Sequence, residues 1–367
     1  MQTDDAQTQP AGEHANRPRG DGFSMLRFFA AFLVFHSHFF ALRGDMEPTL
    51  PWTPGSSYGA EGVLIFFAIS GSLVGRSALN RSTADFLVSR FLRIQPALIA
   101  CTLLLVCLGA AITTLPLAAY IAHPDTLNFL NIAAIWINTC RDTLPGVFVG
   151  RRFIDIDGSL WTLRYEVLCY GWLAAAGLIG PRSIWWGAFM ALLGLPIDAF
   201  LTPDRTVSIG LLSYYSEYSL LEFAAVFAIG VLTCSMNRRL LSRSILAAAL
   251  SLALCWHNDA LRFIAWHALI ALGSIYVGRY ARLDRYIARR ADISYGFYIY
   301  AYPMTQLAQS WFRSVPHGRP LSYITALCMS VALATASWFL IERRALALKA
   351  PVTRWLEPRL RAIPNEP

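Results

Sequence analysis

The sequence predicts an all-α, polytopic membrane protein, and three observations lead to that prediction. Of the 367 residues, 56% are hydrophobic and only 15% are charged. An average soluble domain carries about 25% charged residues. Apolar runs of about 18 or more residues recur along almost the whole chain, and each is long enough to cross a bilayer as a helix. These features exclude a soluble globular domain.

We predict about ten transmembrane helices, because that many apolar runs have a suitable length. They cover residues 24–42, 58–77, 96–115, 159–178, 183–201, 217–235, 244–258, 261–278, 293–312 and 320–341. The sixth contains Glu217 and Glu222, and the seventh is shorter than the others.

The chain divides into a membrane domain and two tails. Residues 1–22 are polar and lack the basic-then-apolar order of a secretory signal, so we predict a flexible cytoplasmic tail and a retained first helix. Residues 23–345 form the membrane domain. Residues 346–367, rich in proline and charge, form a second cytoplasmic tail that is predicted to be exposed and flexible.

The basic residues predict the orientation. If the amino terminus is cytoplasmic, most of the 31 lysine and arginine residues fall in loops and tails on the cytoplasmic side. Both termini are then cytoplasmic, in the cell inner membrane. The net charge of +8 belongs mainly to that face and suits anionic lipid or a phosphorylated ligand, so nucleic acid is not needed to explain it.

The seven cysteines predict neither a disulfide framework nor a metal site. Most lie in apolar runs, and no CxxC or Cys/His ligand spacing is present. His36 and His38 do not form a zinc pair, because side chains two residues apart on a helix diverge by about 200°.

Residues 116–158 form a long segment between the third and fourth predicted helices. The segment is apolar at first and then becomes polar, with Pro145, Gly146 and Gly150. Long irregular segments in compact membrane proteins are usually functional, so we predict a lid or a re-entrant piece.

Arg27 and His38 are polar residues inside the first apolar run. Eleven residues make about three helical turns, so both side chains share one face, roughly 16 Å apart along the axis. His36 falls on the opposite face. Ionisable residues within a membrane helix mark a functional site by default. The structural alternatives are an Arg27 that snorkels to the interface and a His38 that is bonded to a neighbouring helix.

Two further groups of residues precede the long segment. Residues 66–71, Phe-Phe-Ala-Ile-Ser-Gly, suit either a site or close helix packing through small residues. Arg90, Arg93 and Pro96 follow at a predicted cytoplasmic helix start. The positive-inside bias alone explains these arginines, but together with Arg27 they would form a cationic cluster suited to phosphates.

The late motifs are aromatic and acidic. Ser159 is a candidate N-cap, and Trp161 lies at interface depth. Glu166, roughly 12 Å below the outer boundary, is either a catalytic or binding carboxylate or the ion-pair partner of Arg164 or Arg27. Tyrosines and Pro303 crowd residues 291–306, where aromatic packing is the alternative to a site. Glu342 and Arg343 suggest a charge pair at a helix end.

With these residues identified, the chain resembles the acyltransferase family 3 of integral membrane proteins. The matching positions, in chain order, are Arg27 and His38; Phe66, Phe67, Ser70 and Gly71; Arg90, Arg93 and Pro96; 144–148; 159–163, Glu166 and Tyr170; Ser294, Tyr295, Gly296, Tyr298, Tyr300 and Pro303; Glu342 and Arg343. Each motif is short, but the ordered set covers nearly the whole chain. The departures are Asp157 in place of a frequent Asn, Cys169 in place of Phe, Ala301 in place of a frequent His, and Arg344 in place of Pro.

The resemblance implies transfer of an acyl group, usually acetyl, from cytoplasmic acyl-coenzyme A to a hydroxyl of a glycan, glycolipid or glycoside, without a metal. The expected donor-binding residues are Arg27, Ser70, Arg90 and Arg93. His38 is expected to act as general base or as a transient acyl carrier, with Glu166 orienting it or the sugar. The expected acceptor-side residues are Ser159, Trp161, Tyr298 and Tyr300.

Two other functions fit the same features. A secondary transporter also uses buried Arg, His and Glu to relay protons, although this sequence lacks two matching halves. A non-catalytic relative would bind the glycan and ignore the donor.

The partners that the resemblance implies are acyl-coenzyme A, the sugar acceptor and membrane lipid.

Overall fold

The computed structural model describes residues 22–50, 56–134, 142–200, 217–281, 283 and 291–361. In these ranges the fold is all-helical, and β-structure is limited to two isolated bridges, which confirms the predicted class. Residues 1–21 of the predicted tail lie outside them, as does Cys140.

The α-helices are α1 (Phe23–Arg43), α2 (Tyr58–Asn80), α3 (Thr83–Ile112), α4 (Leu117–Ala122), α5 (Pro124–Phe129), α6 (Leu163–Ile179), α7 (Pro181–Leu192), α8 (Gly194–Phe200), α9 (Glu217–Thr233), α10 (Arg238–Leu254), α11 (Asp259–Tyr280), α12 (Ser294–Trp311), α13 (Gly318–Ser337), α14 (Arg343–Ala347) and α15 (Lys349–Arg361). Two 3-10 turns, Leu130–Ala134 and Leu160–Thr162, and a π-helical turn, Trp338–Glu342, lie between them.

Six helical segments of the described chain are long and apolar enough to cross a membrane: Phe23–Arg43, Tyr58–Asn80, Thr83–Ile112, Pro181–Phe200, Asp259–Tyr280 and Gly318–Leu356. The protein is therefore a multi-pass membrane protein. The other predicted spans coincide with α6, α9, α10 and α12, which do not meet both requirements.

Local sequence signals determine where the first helices begin and end. α1 ends at Gly44, whose φ of 84° is the left-handed conformation that glycine adopts at helix C-termini. α2 follows Ser57, whose side chain accepts a hydrogen bond from the Ala60 amide. α3 follows Ser82 in the same way. Because of this cap, α3 begins well before the predicted span at residue 96, and Arg90 and Arg93 lie inside the helix rather than at its start.

Glycines of α2 allow close helix contacts on two sides. A Cβ on Gly62 would lie 2.5 Å from the carbonyl oxygen of Ala30 in α1. A Cβ on Gly71 would lie 2.0 Å from the carbonyl oxygen of Phe227 in α9. Any side chain at either position would force the helices apart, so the packing interpretation of Gly71 is correct. The neighbouring Ser70 faces a different direction, toward a cavity described below.

α12 is the central helix of the bundle, because every residue from Ser294 to Gln309 is buried. It packs against α13, α1 and α3. It runs alongside α1 in the same direction, since Arg27 contacts Asp292 just before α12 and His38 contacts Tyr302 near its other end. The shared face of Arg27 and His38 is therefore the face that α1 presents to α12.

Two segments outside the predicted transmembrane helices contain helices of their own. The described part of residues 116–158 contains α4 and α5 and packs onto α3, where the Tyr120 hydroxyl donates to the Val106 carbonyl at 2.9 Å. The C-terminal tail, which was predicted to be exposed and flexible, is helical as far as Arg361, where α15 continues the chain. Lys349 and Thr353 anchor α15 to Asp85 of α3, at 3.0 and 3.2 Å.

Candidate active site

Two cavities lie on the shared face of α1. The first, which we call the arginine cavity, is about 100 Å³ and is lined in part by Arg27, Ser70, Arg90, Arg93, Glu166 and Tyr298. The second, the histidine cavity, is about 280 Å³ and is lined in part by His38, Glu47, Trp161, Thr162, Glu222 and Tyr298. All four predicted donor-binding residues therefore line the arginine cavity, whereas His38 lines the other cavity.

Asp292 joins two of the three arginines. Its Oδ2 lies 2.6 Å from Arg27 and 2.8 Å from Arg93, and its Oδ1 accepts from the Ser294 hydroxyl at 2.6 Å. Burial alone would raise the pKa of the Asp292 carboxyl, but Arg27 and Arg93 hold that pKa well below its usual range. Asp292 is thus an ionised anchor for both guanidinium groups. Arg27 does not merely snorkel, because its charge is directed to this carboxylate.

Arg90 has a different environment from the other two arginines. Among the described residues, no carboxylate lies within ion-pair distance of Arg90. Its guanidinium carbon lies 5.8 Å from the centre of the Tyr170 ring. The buried Nε atoms of Arg27 and Arg90 have no hydrogen-bond partner in the described part of the chain. The cavity therefore retains donor groups suited to an anionic ligand.

Glu166 is bound by hydroxyl groups. Ser70 Oγ lies 2.9 Å from its Oε1, and the Tyr170 hydroxyl donates to the same oxygen. The structural alternative, an ion pair of Glu166 with Arg164 or Arg27, is not found among the described residues. Arg27 binds Asp292, and Arg164 donates to the Trp161 carbonyl at 3.1 Å. Ser70 and Tyr170 together position the Glu166 carboxylate at the wall of the arginine cavity.

His38 lines the histidine cavity, and one of its ring nitrogens is buried without a partner in the described structure. Its ring meets the Tyr302 ring edge-on, with centroids 5.1 Å apart. Its buried Nδ1 has no hydrogen-bond partner among the described residues. His36 is turned away, and its Nδ1 lies 2.9 Å from the Tyr323 hydroxyl. The predicted opposite orientation of the two histidines is confirmed.

Tyr298 forms the partition between the cavities, with Val63 and Thr162. The Tyr298 hydroxyl donates to the Ser159 carbonyl at 2.9 Å. Because that bond uses its only proton, Thr162 Oγ1, at 2.6 Å, must donate to Tyr298. His38 and Glu166 lie on opposite sides of this partition, and no hydrogen bond joins them in the described structure.

The comparisons with known proteins agree with this geometry. Residues 21–341 match the family model described as "Acyltransferase domain". The chain belongs to this acyltransferase family.

Curated relatives match the acyltransferase over most of its length. It is 28% identical to the "O-acetyl transferase" of Shigella phage Sf6 over 337 residues, which cover 90% of this chain and 97% of the relative. It is 28% identical to "Nodulation protein 10" of Rhizobium leguminosarum bv. viciae over 377 residues, which cover 93% and 96%. No solved structure matches the chain. Family and relatives identify it as an O-acyltransferase.

Three predicted acceptor-side residues of the acyltransferase occupy different environments. Trp161 lines the histidine cavity and is 37% exposed. Ser159 is buried and lines neither cavity in the described structure; its hydroxyl donates to Asp157 at 2.7 Å and does not cap a helix. Tyr300 is buried on another face of α12, near Ser337. Only Trp161 and Tyr298 of the predicted set border the cavity of His38.

Asp157 accounts for one departure from the family pattern. Its Oδ1 accepts from both the amide and the hydroxyl of Ser159. Burial raises the pKa of Asp157 to about 8, despite these bonds. The side chain is therefore protonated at neutral pH. A protonated aspartate presents one acceptor and one donor, as asparagine does, so it can substitute for the more frequent residue.

Asp292, Glu47 and the burial of Glu342 were not predicted from the sequence. Glu342 is 1% exposed and lies 3.7 Å from Arg93, so the predicted charge pair at a helix end is wrong. Asp292 adjoins the Ser294-Tyr295-Gly296 motif, which was the available signal. Glu47 lies outside every motif, and no sequence signal identified it. Among the described residues, no group of three or more His, Cys, Asp or Glu side chains could hold a metal ion.

Proposed function

We propose that this acyltransferase moves an acetyl group from cytoplasmic acyl-coenzyme A to a hydroxyl of a glycan, glycolipid or other glycoside. The observation that carries the proposal is the pair of cavities on one face of α1. One cavity presents Arg27, Arg90 and Arg93, which suit the coenzyme phosphates. The other is lined by His38, whose buried Nδ1 has no hydrogen-bond partner among the described residues.

The reaction assigns a separate task to each cavity. The acceptor oxygen attacks the thioester carbonyl carbon; a C–O bond forms and the C–S bond breaks. His38 takes the acceptor proton and returns it to the coenzyme sulfur, so the proton count balances. If His38 is instead an acyl carrier, its ring nitrogen attacks the thioester carbon, the C–S bond breaks and the coenzyme leaves as the thiol with the proton of the imidazole. The acceptor oxygen then attacks the acyl-histidine, the C–N bond breaks and the acceptor proton returns to the imidazole. In both cases the acyl carbon must pass Tyr298 and Thr162.

Glu166 acts on the donor side in this proposal. Its carboxylate is bound by Ser70 and Tyr170 and lies with the three arginines rather than with His38. Glu166 therefore orients the donor or the residues of the partition, and Ser70 in turn orients Glu166. Trp161 and Tyr298 contact the acceptor, while Ser159 and Tyr300 support α12 and its neighbouring turn.

The proposed topology has about ten transmembrane helices with both termini cytoplasmic. Helix directions support it, because alternate spans must run the same way. α2 runs parallel to α9, from the Phe67–Phe223 contact to the Gly75–Val231 contact. It also runs parallel to α11, from Glu61–Trp266 to Ser72–Arg279.

α1, α3 and α12 form the second parallel set, which corresponds to the odd-numbered spans. Tyr295 and Ile299 of α12 contact Ile94 and Cys101 of α3 in the same order along both helices. We propose the cell inner membrane as the location. Residues 23–345 form the membrane acyltransferase domain, between cytoplasmic tails at 1–22 and 346–367.

The test is acetyl transfer by purified variants. His38→Ala should lower transfer from labelled acetyl-coenzyme A to envelope glycans by about 10²–10⁴-fold, because a general base contributes that much. Arg27→Ala should raise the KM for acetyl-coenzyme A. His36→Gln is the matched control: it alters an imidazole two residues away that faces Tyr323, and it should retain activity.

Two outcomes distinguish the mechanisms. Full activity in correctly inserted His38→Ala protein would refute the role of His38. Incubation with labelled donor in the absence of acceptor separates the remaining alternatives. Label retained on His38 indicates an acyl-histidine. A protein that stays unlabelled, yet transfers the label normally once acceptor is added, indicates direct transfer.

A further inference from the structure

We infer, resting on the proposed function, that the acceptor group entering the histidine cavity is an uncharged sugar and that the enzyme rejects anionic sugars. None of the residues known to line this cavity is an arginine or a lysine. Apart from His38 and the Tyr298 hydroxyl, its ionisable lining residues are Glu47 and Glu222. The arginine cavity has the opposite composition, with three guanidinium groups.

Glu222 enters the cavity as part of a pair with His267. His267 Nδ1 lies 2.7 Å from the Phe263 carbonyl oxygen, which can only accept, so Nδ1 carries a proton. His267 Nε2 lies 2.8 Å from Glu222 Oε1, and that bond needs one further proton. One proton is thus shared between imidazole and carboxylate, and the pair has no net charge. Glu222 is a fixed hydrogen-bonding group, and its other carboxylate oxygen can accept from a sugar hydroxyl.

Glu47 supplies the negative charge of the cavity. It follows α1 in an exposed segment, and the Ser37 hydroxyl donates to its Oε2. The nearby arginines, Arg43 and Arg319, are engaged by Asp45 at 3.4 and 3.3 Å and are absent from the cavity lining. No described cation therefore compensates Glu47 within the cavity.

The consequence for the acceptor is electrostatic. A sugar carboxylate or phosphate that entered would lose hydration, meet the like charge of Glu47 and find no guanidinium to bind. An uncharged sugar can donate its hydroxyls to Glu47 and Glu222 and pack its ring against the exposed part of Trp161. The cavity therefore discriminates by charge before the hydroxyl reaches His38.

The experiment uses saccharides released from the envelope of the source cell and separated by anion exchange into neutral and acidic fractions. Purified full-length enzyme with labelled acetyl-coenzyme A should transfer label to the neutral fraction at least tenfold faster per mole of sugar. Glu47→Gln should narrow this ratio severalfold by increasing transfer to the acidic fraction. Glu222→Gln should lower transfer to both fractions with little change in their ratio, because its pair has no net charge.

Asp259→Asn is the matched control, since Asp259 is an exposed carboxylate at the start of α11 and lines neither cavity. It should leave the ratio unchanged. Equal labelling of both fractions by the wild type, or an unchanged ratio in Glu47→Gln, would overturn this inference alone. If no fraction accepts label and no coenzyme A is released, the proposed function fails and the inference fails with it.

Discussion

The arginine cavity and the histidine cavity differ in charge, in the ion pairs that hold their walls together and in the elements that form them. The first is built around Asp292, which binds two guanidinium groups from α1 and α3. The second is bordered by Glu47 and Glu222, and the described residues form no comparable ion-pair network around His38. One surface of α1 therefore presents opposite electrostatic environments on the two sides of the Tyr298 partition, as the proposed phosphorylated donor and the proposed uncharged acceptor require.

The two cavities also contribute differently to the stability of the fold. Ion pairs of the arginine cavity are largely buried, with exposed side-chain fractions of 23% for Arg27, 18% for Arg93 and 16% for Asp292. Removing one partner of such a pair leaves an uncompensated charge. Glu47 is exposed at the mouth of its cavity, so its loss removes little folding energy. We expect the loss of Asp292 from the first cavity to damage the fold and the loss of Glu47 from the second to change the choice of substrate.

The largest expected effect is that of Asp292→Ala. It leaves Arg27 and Arg93 without their shared carboxylate and should lower the free energy of unfolding by about 3–5 kcal/mol. The measurement is thermal unfolding of the purified protein in one detergent. Glu47→Ala is the control from the other cavity and should change the stability by less than about 1 kcal/mol. Equal stability of both variants would contradict the contrast between the cavities.

The next effect concerns the partition. Tyr298→Ala removes the ring between the cavities and should let water reach the thioester, so that release of coenzyme A without acceptor rises severalfold while transfer to the glycan falls. Tyr298→Phe keeps the ring and removes only the bonds to Ser159 and Thr162, so its effect should be smaller. Release of coenzyme A is followed by thiol titration. If Tyr298→Ala showed no acceptor-independent release, the residue would not separate the two substrates.

A smaller effect is expected for Ser70→Ala. Glu166 would lose one hydroxyl donor and keep Tyr170, and a hydrogen bond to a charged group contributes about 1.5–3 kcal/mol. We expect kcat/KM for acetyl-coenzyme A to fall about tenfold to a hundredfold. Ser89→Ala is the control, because the Ser89 hydroxyl bonds the Asp85 carbonyl within α3 and lines neither cavity. Identical kinetics of the two variants would remove Ser70 from the site.

The last effect depends on pH and concerns Asp157. Its pKa is raised to about 8, mainly by burial and in part by Asp142, so the folded state binds more protons than the unfolded state between roughly pH 4 and pH 8. Stability must therefore fall as the pH rises through that window. Asp157→Asn stays neutral and should unfold a few degrees higher than the wild type at pH 9, with a smaller difference at pH 5. A constant difference across this range would show that Asp157 does not titrate.

The sequence predicted the membrane class and the relation between Arg27 and His38, because both follow from periodicity and composition along one helix. A separation of eleven residues determines that two side chains share a face, whatever surrounds the helix. The same reasoning separated His36 from His38, and the contact with Tyr323 confirms it. The ordered motifs also indicated the family, which the matched residues 21–341 confirm.

The partners of the ionisable residues could not be obtained in this way. Glu166 was expected to pair with an arginine or to orient His38, and instead it is bound by Ser70 and Tyr170 on the far side of the partition. Asp292 lies 265 residues from Arg27 along the chain. Such a pairing depends on how α12 packs against α1 and α3, and a single sequence contains no periodicity that reports it.

By itself, the sequence determined that the chain enters a membrane as helices and that one helix bears a cation and an imidazole on one face, since both depend on hydrophobicity and helix geometry alone. Only the tertiary structure decided which carboxylate binds which arginine, where the cavities end, and that Glu47 lies beside His38. Those outcomes depend on the mutual packing of helices that are distant in sequence, where small differences in contact geometry select one electrostatic partner over another.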